Sequence, residues 1–213
     1  MCWNAAVSLN TFLFSSFVLV LIIYNNSYTK YKIQELNSVW KYIFIASFVL
    51  MQLIEFFIWR NLNNPFYNNL FSTIGLVLLH MQPVASIMII TNTHLRNILL
   101  LSYSILAIPY LIYKLITQNI RSVKSTNGHL SWKFDIHNVV FIIWLMFFLF
   151  SFVYERKWYL ILFALVTLMI AYINYINHNT MASMWCWFIN SFMIYYVGYL
   201  LFYLPFLEKM KIC

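Results

Sequence analysis

Apolar positions gather into seven stretches, at about 8–25, 40–59, 67–91, 96–116, 137–154, 158–177 and 183–206, separated by short polar breaks and one longer one. A hydrocarbon core of roughly 30 Å takes about 17–25 mostly apolar residues to cross as a helix, so each stretch predicts a span. The fifth, "HNVVFIIWLMFFLFSFVY", is short, and only "TNTHLRN" separates the third from the fourth, which demands a tight helical hairpin. A membrane β-barrel would alternate apolar and polar residues along each strand. "VVFIIWLMFFLFSFV" does not alternate. The expectation is an all-α, polytopic integral membrane protein, a seven-transmembrane-helix bundle filling one domain, 1–213. "MCWNAAVSLNT" lacks a basic leader, so the first span is read as an uncleaved insertion signal.

Composition removes the soluble alternative. The chain is 63% hydrophobic, 21% aromatic and 8% charged, with a mean hydropathy of +0.78. In water such a surface would form large apolar patches, whereas lipid solvates it. Charge then sets the expected direction. One side carries Arg60, Lys114, Arg121, Lys124 and Lys133. The other carries Lys30, Lys32, Lys41, Arg96, Arg156, Lys157, Lys209 and Lys211. The richer side is read as cytoplasmic, with the N-terminus outside and the C-terminus inside. Asn25 of "NNS" then lies on the cytoplasmic side, out of reach of glycosylation. The net charge of +8 is scattered over many breaks. That suits anionic membrane lipids as partners and argues against nucleic acid.

A few polar residues interrupt the apolar runs. Glu55, in "LMQLIEFFIWR", is the one acid well inside a span, and intramembrane acids are costly enough to be functional candidates. Gln52, Glu55 and Trp59 fall on one helix face. The third stretch carries "LLHMQPVAS": Pro83 removes a backbone hydrogen bond and is expected to bend the helix, and His80 and Gln82 lie about 200° apart around the helix, so the two cannot face one cavity unless that kink rearranges them. Gln82 and Ser86 form the coherent inward face, with Gly75 allowing close approach. Cys186 and Asn190 share a face of the last span. An ion or solute path would use Glu55, Gln52, His80, Gln82, Asn190 and Cys186. Glu55 is expected to bond Gln52, Gln82, Asn190 or water.

The longest break, "TQNIRSVKSTNGHLSWKFD", contains the turn signal Asn127-Gly128 and predicts a short hairpin over the outer mouth. Asp135, His129, His137, His178, Cys186 and the Asn residues 174 and 177 would then rim a vestibule with aromatic walls. Trp3, Trp185 and Trp187 read as interfacial belt residues. Cys2 and Cys186 fall at similar depth near the outer mouth. In an oxidising compartment they would join as a disulfide, and in a reducing one they are small packing residues.

"MCWNAAVSLNT", "QLIEFFIWRN", "LHMQPVAS" and "SMWCWFINS" together resemble a poorly characterised family of multi-span membrane proteins. Its members begin Met-Cys-Trp-(Ser/Asn)-Ala and occur in giant DNA viruses, protists and bacteria. The resemblance implies a seven-helix fold in which Cys2, Trp3, Glu55, Gln82, Pro83, Trp185 and Cys186 match the motif positions. It implies no activity. The richness in Asn, Ile, Lys, Phe and Tyr suits an A/T-rich viral genome.

Several chemistries are excluded outright. Retinal binding needs a Lys in the last span, and 183–206 has none. Metal-dependent lipid hydrolysis needs His and Asp at ligand spacing, and neither H-x-x-x-H nor H-E-x-x-H occurs. Walker, dinucleotide and G-x-S-x-G motifs are absent, so no metal or cofactor is expected. Three classes remain: a channel or transporter for an ion or small solute, a membrane-embedded enzyme acting on a lipid or small molecule, and a receptor-like or structural protein. Transport is the favoured reading.

Overall fold

The computed structural model describes residues 4–134 and 138–207. Its elements are α1 (Ala5–Tyr28), α2 (Val39–Arg60), α3 (Pro65–Ile87), α4 (Thr93–Thr117), β1 (Ser122–Lys124), β2 (Leu130–Trp132), α5 (Asn138–Tyr154), α6 (Trp158–Tyr175), α7 (Met181–Asn190) and α8 (Phe192–Gly198). Among the described residues, six helical stretches are long and apolar enough to cross a membrane. The last of them runs Met181–Leu207, through α7, α8 and a wide π-type turn at Tyr199–Tyr203. The expected count of seven is met only in part, because α5 has 17 residues and falls short of that length.

Asparagine starts three of these helices. Asn4 accepts from Val7 N, Asn64 from Phe66 N and Tyr67 N, and Asn92 from Leu95 N, each satisfying amides that the helix itself leaves unpaired. Pro65 follows Asn64 at a position where a missing N–H costs nothing. The turns after α5 and α6 are made by Arg156 and Asn179, both with positive φ.

α2 and α3 form the centre. The most apolar windows of these helices are 50% and 56% buried, against 11% for α4, which leans on the outside of α3. α2 packs on α1, α3 and α7; α5 packs on α3 and α6; α6 packs on α7. The outer face of α4 presents Leu101, Ile105, Ile108 and Ile112 to the surroundings. Such a face has no place in water and suits lipid.

Two sets of polar contacts tie the ends of the bundle. At one end Lys157 pairs with Glu35 and Lys41 with Glu155, each at 2.9 Å, clasping the α1–α2 segment to the α5–α6 turn. At the other end Ser125 donates to the His178 carbonyl, Thr126 bonds the His178 ring, and Asn127 donates to Thr180.

The hairpin at this second end pairs Ser122 with Trp132, Val123 with Ser131 and Lys124 with Leu130, turning at Gly128 with φ of +81°. It was expected to lie over the mouth. Instead it sinks into the bundle: Leu130, Ser131, Trp132 and Phe134 are all buried. The Phe134 ring comes within 3.7 Å of where a Gly75 Cβ would stand. Gly75 lies about 15 Å along α3 from its start, at 1.5 Å per residue. Non-helical backbone survives at such depth only when protein satisfies it, and it does so here. Asn68 of α3 accepts from Ser122 N and donates to Ser122 O, both at 2.9 Å. Ser183 of α7 donates to the Leu130 carbonyl at 2.7 Å.

Candidate functional site

The polar residues of α2 and α7 meet in one column. Asn190 Nδ2 donates to the Phe48 carbonyl at 3.3 Å and to the Cys186 carbonyl at 2.9 Å. That bond sets α7 against α2 at the level of Phe48. Because the two helices run in opposite directions, Cys186 then rises beside Gln52 and toward Glu55. Cys186 is a buried free thiol within electrostatic range of Glu55. Gln52 and Glu55 have no exposed surface at all. Trp59, on the same face, is half-buried. The expected neighbour of Cys186, Cys2, lies outside the described residues, as do Trp3, Asp135, His137 and Cys213.

Gln82 is also fully buried, but on a different helix pair. It shares the α3 face of Leu79 and Ser86, which looks at α5: Ser86 donates to the Phe148 carbonyl and bonds Ser151, each at 2.6 Å. Gly75 packs on Met51 and Ile54, and Gln82 lies two turns further along, about 10 Å from that level. The amide atoms of Gln52 and Gln82 have no hydrogen-bond partner among the described residues. Neither amide therefore makes the expected bond to Glu55.

His80 faces away from this column. Its Nδ1 lies 2.9 Å from the Leu76 carbonyl, and since a carbonyl only accepts, Nδ1 carries the proton. Its ring stacks on Tyr110 of α4 with centroids 5.8 Å apart. The 200° separation from Gln82 is realised, with His80 packed between α3 and α4.

Pro83 leaves α3 continuous to Ile87, and the reason lies on a neighbouring helix. The missing Pro83 N–H orphans the carbonyl four residues earlier, that of Leu79. Trp144 of α5 donates its indole N–H to that oxygen at 2.8 Å. Sequence reasoning missed Trp144, whose signal would have been a donor needed opposite a mid-helix proline. Trp144 stacks on Phe148 at 4.8 Å and meets Trp185 edge-on at 6.0 Å. Trp185 is 3% exposed and donates to Thr167. It is a core residue and not the belt residue expected. Trp187, half-buried, donates to Thr11 of α1.

The vestibule predicted at the hairpin end is occupied by the hairpin itself. His129 meets Tyr175 edge-on at 5.4 Å. Burial above all, with a lesser contribution from the nearby His178, holds the His129 imidazole below its ordinary pKa. Asn174 and Asn177 stay on the exposed surface. Among the described residues no three His, Cys, Asp or Glu are grouped to hold a metal.

At the clasp end a cavity of about 110 Å³ opens between α2, α5, α6, α7 and α8. Phe44, Phe48, Phe148, Phe163 and Phe192 wall it, Glu35, Lys41, Glu155 and Lys157 stand at its mouth, and Asn190 lines its inner end. Burial alone would raise the Glu35 pKa. Hydrogen bonds from Tyr159 and Lys157 and the charges of Lys157 and Lys41 outweigh burial and hold it lower. Asn190 thus belongs both to this cavity and to the column that leads to Glu55.

No family model matches the chain, and no curated protein or solved structure is significantly similar to it. What the geometry defines is a helical, multi-pass type of membrane protein with a polar column inside it.

Proposed function

We propose that this chain is a seven-span protein that moves an ion or small solute across its membrane, with the proton as the coupled ion and Glu55 as its carrier. One observation carries the reading. The amides of Gln52 and Gln82 and the oxygen of Asn190 are buried with no hydrogen-bond partner among the described residues, in the same bundle core as an intramembrane acid. Each such atom costs about 1–3 kcal/mol when left unsatisfied, and more in lipid, so these groups gain from water or a polar solute passing among them. The cavity reaches Asn190 from the clasp end while the hairpin fills the other, which supports an arrangement open toward one side only.

In this reading the clasp end, with Lys30, Lys32, Lys41, Arg156 and Lys157, faces the cytoplasm. A maleimide that cannot cross membranes should then spare Lys32→Cys in intact cells; labelling from outside would reverse the direction. The likeness to the family beginning Met-Cys-Trp is part of the same proposal, and its motif positions Glu55, Gln82, Pro83, Trp185 and Cys186 are all buried.

The test is proton flux into proteoliposomes loaded with a pH-sensitive dye, under an imposed potential. Protein-dependent acidification should vanish in Glu55→Gln. Gln52→Met should slow it while raising the melting temperature, because an apolar isostere removes two unsatisfied atoms. Flux equal to that of empty liposomes, or unchanged in Glu55→Gln, sinks the proton role.

A further inference from the structure

At the clasp end, charge and apolar wall meet around one cavity. Lys41 pairs with Glu155 and Lys157 with Glu35 at its mouth, each at 2.9 Å. Glu35 is within electrostatic range of both lysines, so the two pairs make one group of four charges that sums to zero. The group is not saturated. Among the described residues each ammonium makes one of these ion pairs, which leaves two N–H donors on Lys41 and two on Lys157. Glu155 is engaged through Oε2, and its Oε1 remains an acceptor. The Lys41 and Glu155 side chains are 19% and 21% exposed, enough for a ligand to reach them and too little for solvent to screen them fully.

Below the charges the walls are apolar. Phe44 lies 5.3 Å from Phe148, Phe48 lies 5.7 Å from Phe148, and Phe163 lies 4.9 Å from Phe192, with Ala164 beside them. The cavity, about 110 Å³, is smaller than the apolar cavities of roughly 150 Å³ that take up benzene, and it suits a branched side chain of about four carbons. A phospholipid can bring both signs of charge, but its chains are several times longer than this space can hold. A hydrated ion would have to shed its water against phenylalanine.

We infer that the cavity binds a free amino acid in its zwitterionic form, with an aliphatic side chain of leucine's size. The α-carboxylate accepts from the remaining lysine N–H groups, the α-ammonium donates to Glu155 Oε1, and the side chain enters among the phenylalanines. A ligand lacking either charge would leave a net charge in a rim that sums to zero, and is disfavoured. This names the class of small solute in the function proposed above and rests on that reading for transport, but not for binding.

Binding is therefore measured without flux, so its failure leaves the proton experiment untouched. The full chain in lipid nanodiscs is titrated calorimetrically with L-leucine, with isoamylamine, which lacks the carboxylate, with isocaproate, which lacks the ammonium, and with glycine. Empty nanodiscs supply the partitioning background. L-leucine should bind saturably and about tenfold or more tighter than either single-charge analogue, the size of one charged hydrogen bond. Each buried carbon is worth roughly fourfold, so glycine should be weaker on the order of a hundredfold. Lys41→Gln should weaken L-leucine without weakening isoamylamine, and Ala164→Leu, which fills the wall, should weaken all the ligands that carry the side chain. The comparison of ligands on the unaltered protein stands even if a variant fails to fold. Signals equal to the empty nanodiscs, or an analogue that matches L-leucine, overturn the assignment. So does an acyl chain found in the purified protein by mass spectrometry and not displaced by L-leucine.

Discussion

Replacing Asn68 by leucine should release the hairpin. Asn68 has leucine's shape but supplies both partners that the buried Ser122 backbone needs, its N–H and its carbonyl each meeting the carboxamide at 2.9 Å. Ser122 is 1% exposed, so no water replaces them while the hairpin stays in place. Two orphaned backbone groups cost about 1–3 kcal/mol each, and even the lower sum, about 2 kcal/mol, raises the open population roughly 25-fold at about 1.4 kcal/mol per decade. A cysteine at Ser131, 3% exposed in β2, reports opening through its rate of reaction with a soluble maleimide, in a chain whose own Cys residues are replaced. Asn68→Leu should speed that reaction 25-fold or more. Asn69→Leu is the control: Asn69 bonds Asn119 Oδ1 and Ile120 O nearer the surface, where water substitutes, and it should change the rate less than threefold. An Asn68→Leu rate within threefold of the parent would show that these bonds do not hold the hairpin down.

Trp144→Phe should cost about 1–3 kcal/mol beyond its packing, because it strands the Leu79 carbonyl. Pro83→Ala restores an N–H to that carbonyl, so a double-mutant cycle in chemical or thermal unfolding should show coupling of about 1 kcal/mol or more, and simple additivity would refute the link. His129 is held below its ordinary pKa, so the unfolded chain binds the proton more readily. Stability from this group is complete above the unfolded value near 6.5 and falls as pH drops through that value toward the lowered folded one. The melting temperature should decline between pH 7.5 and 5.5, and His129→Gln should remove part of that decline; an equal decline in the variant would reject the role. Gly198 sits in a helix with nothing within 4 Å of an added Cβ, so Gly198→Ala should stabilise by about 0.5–1 kcal/mol, read as a raised melting temperature.

Helix positions were legible because apolar runs of span length announce themselves: the expected 40–59 is Val39–Arg60, and 158–177 opens at Trp158. The α2–α7 column was half legible, since Gln52 with Glu55 and Cys186 with Asn190 follow helical spacing. That the two faces meet depends on Asn190 reaching Phe48, which no local pattern encodes. Trp185 was misjudged, and the surroundings of His80 were left open, for one reason. Depth in a span says nothing of which neighbour a side chain meets, so a mid-span His became a ring packed on Tyr110 and a border Trp became core. The hairpin's turn was readable from Asn127-Gly128. Its descent was not, because it rests on Asn68 and Ser183 and on the Ser72 hydroxyl, which bonds that of Ser122 at 2.8 Å, residues that look like ordinary polar ends of helices.

That descent also bears on the one helix too short for the rest. At 1.5 Å per residue, the 17 residues of α5 rise about 25 Å, less than a hydrocarbon core of roughly 30 Å. Yet α5 starts at Asn138, shortly after Phe134 has already reached the level of Gly75 inside the bundle. Lengthening α5 at its start would leave less room for the hairpin, and the bonds that Asn68 and Ser183 make to it would be the first lost. At the end opposite the cavity the hairpin backbone is held in place by a handful of side chains, Asn68 and Ser183 among them.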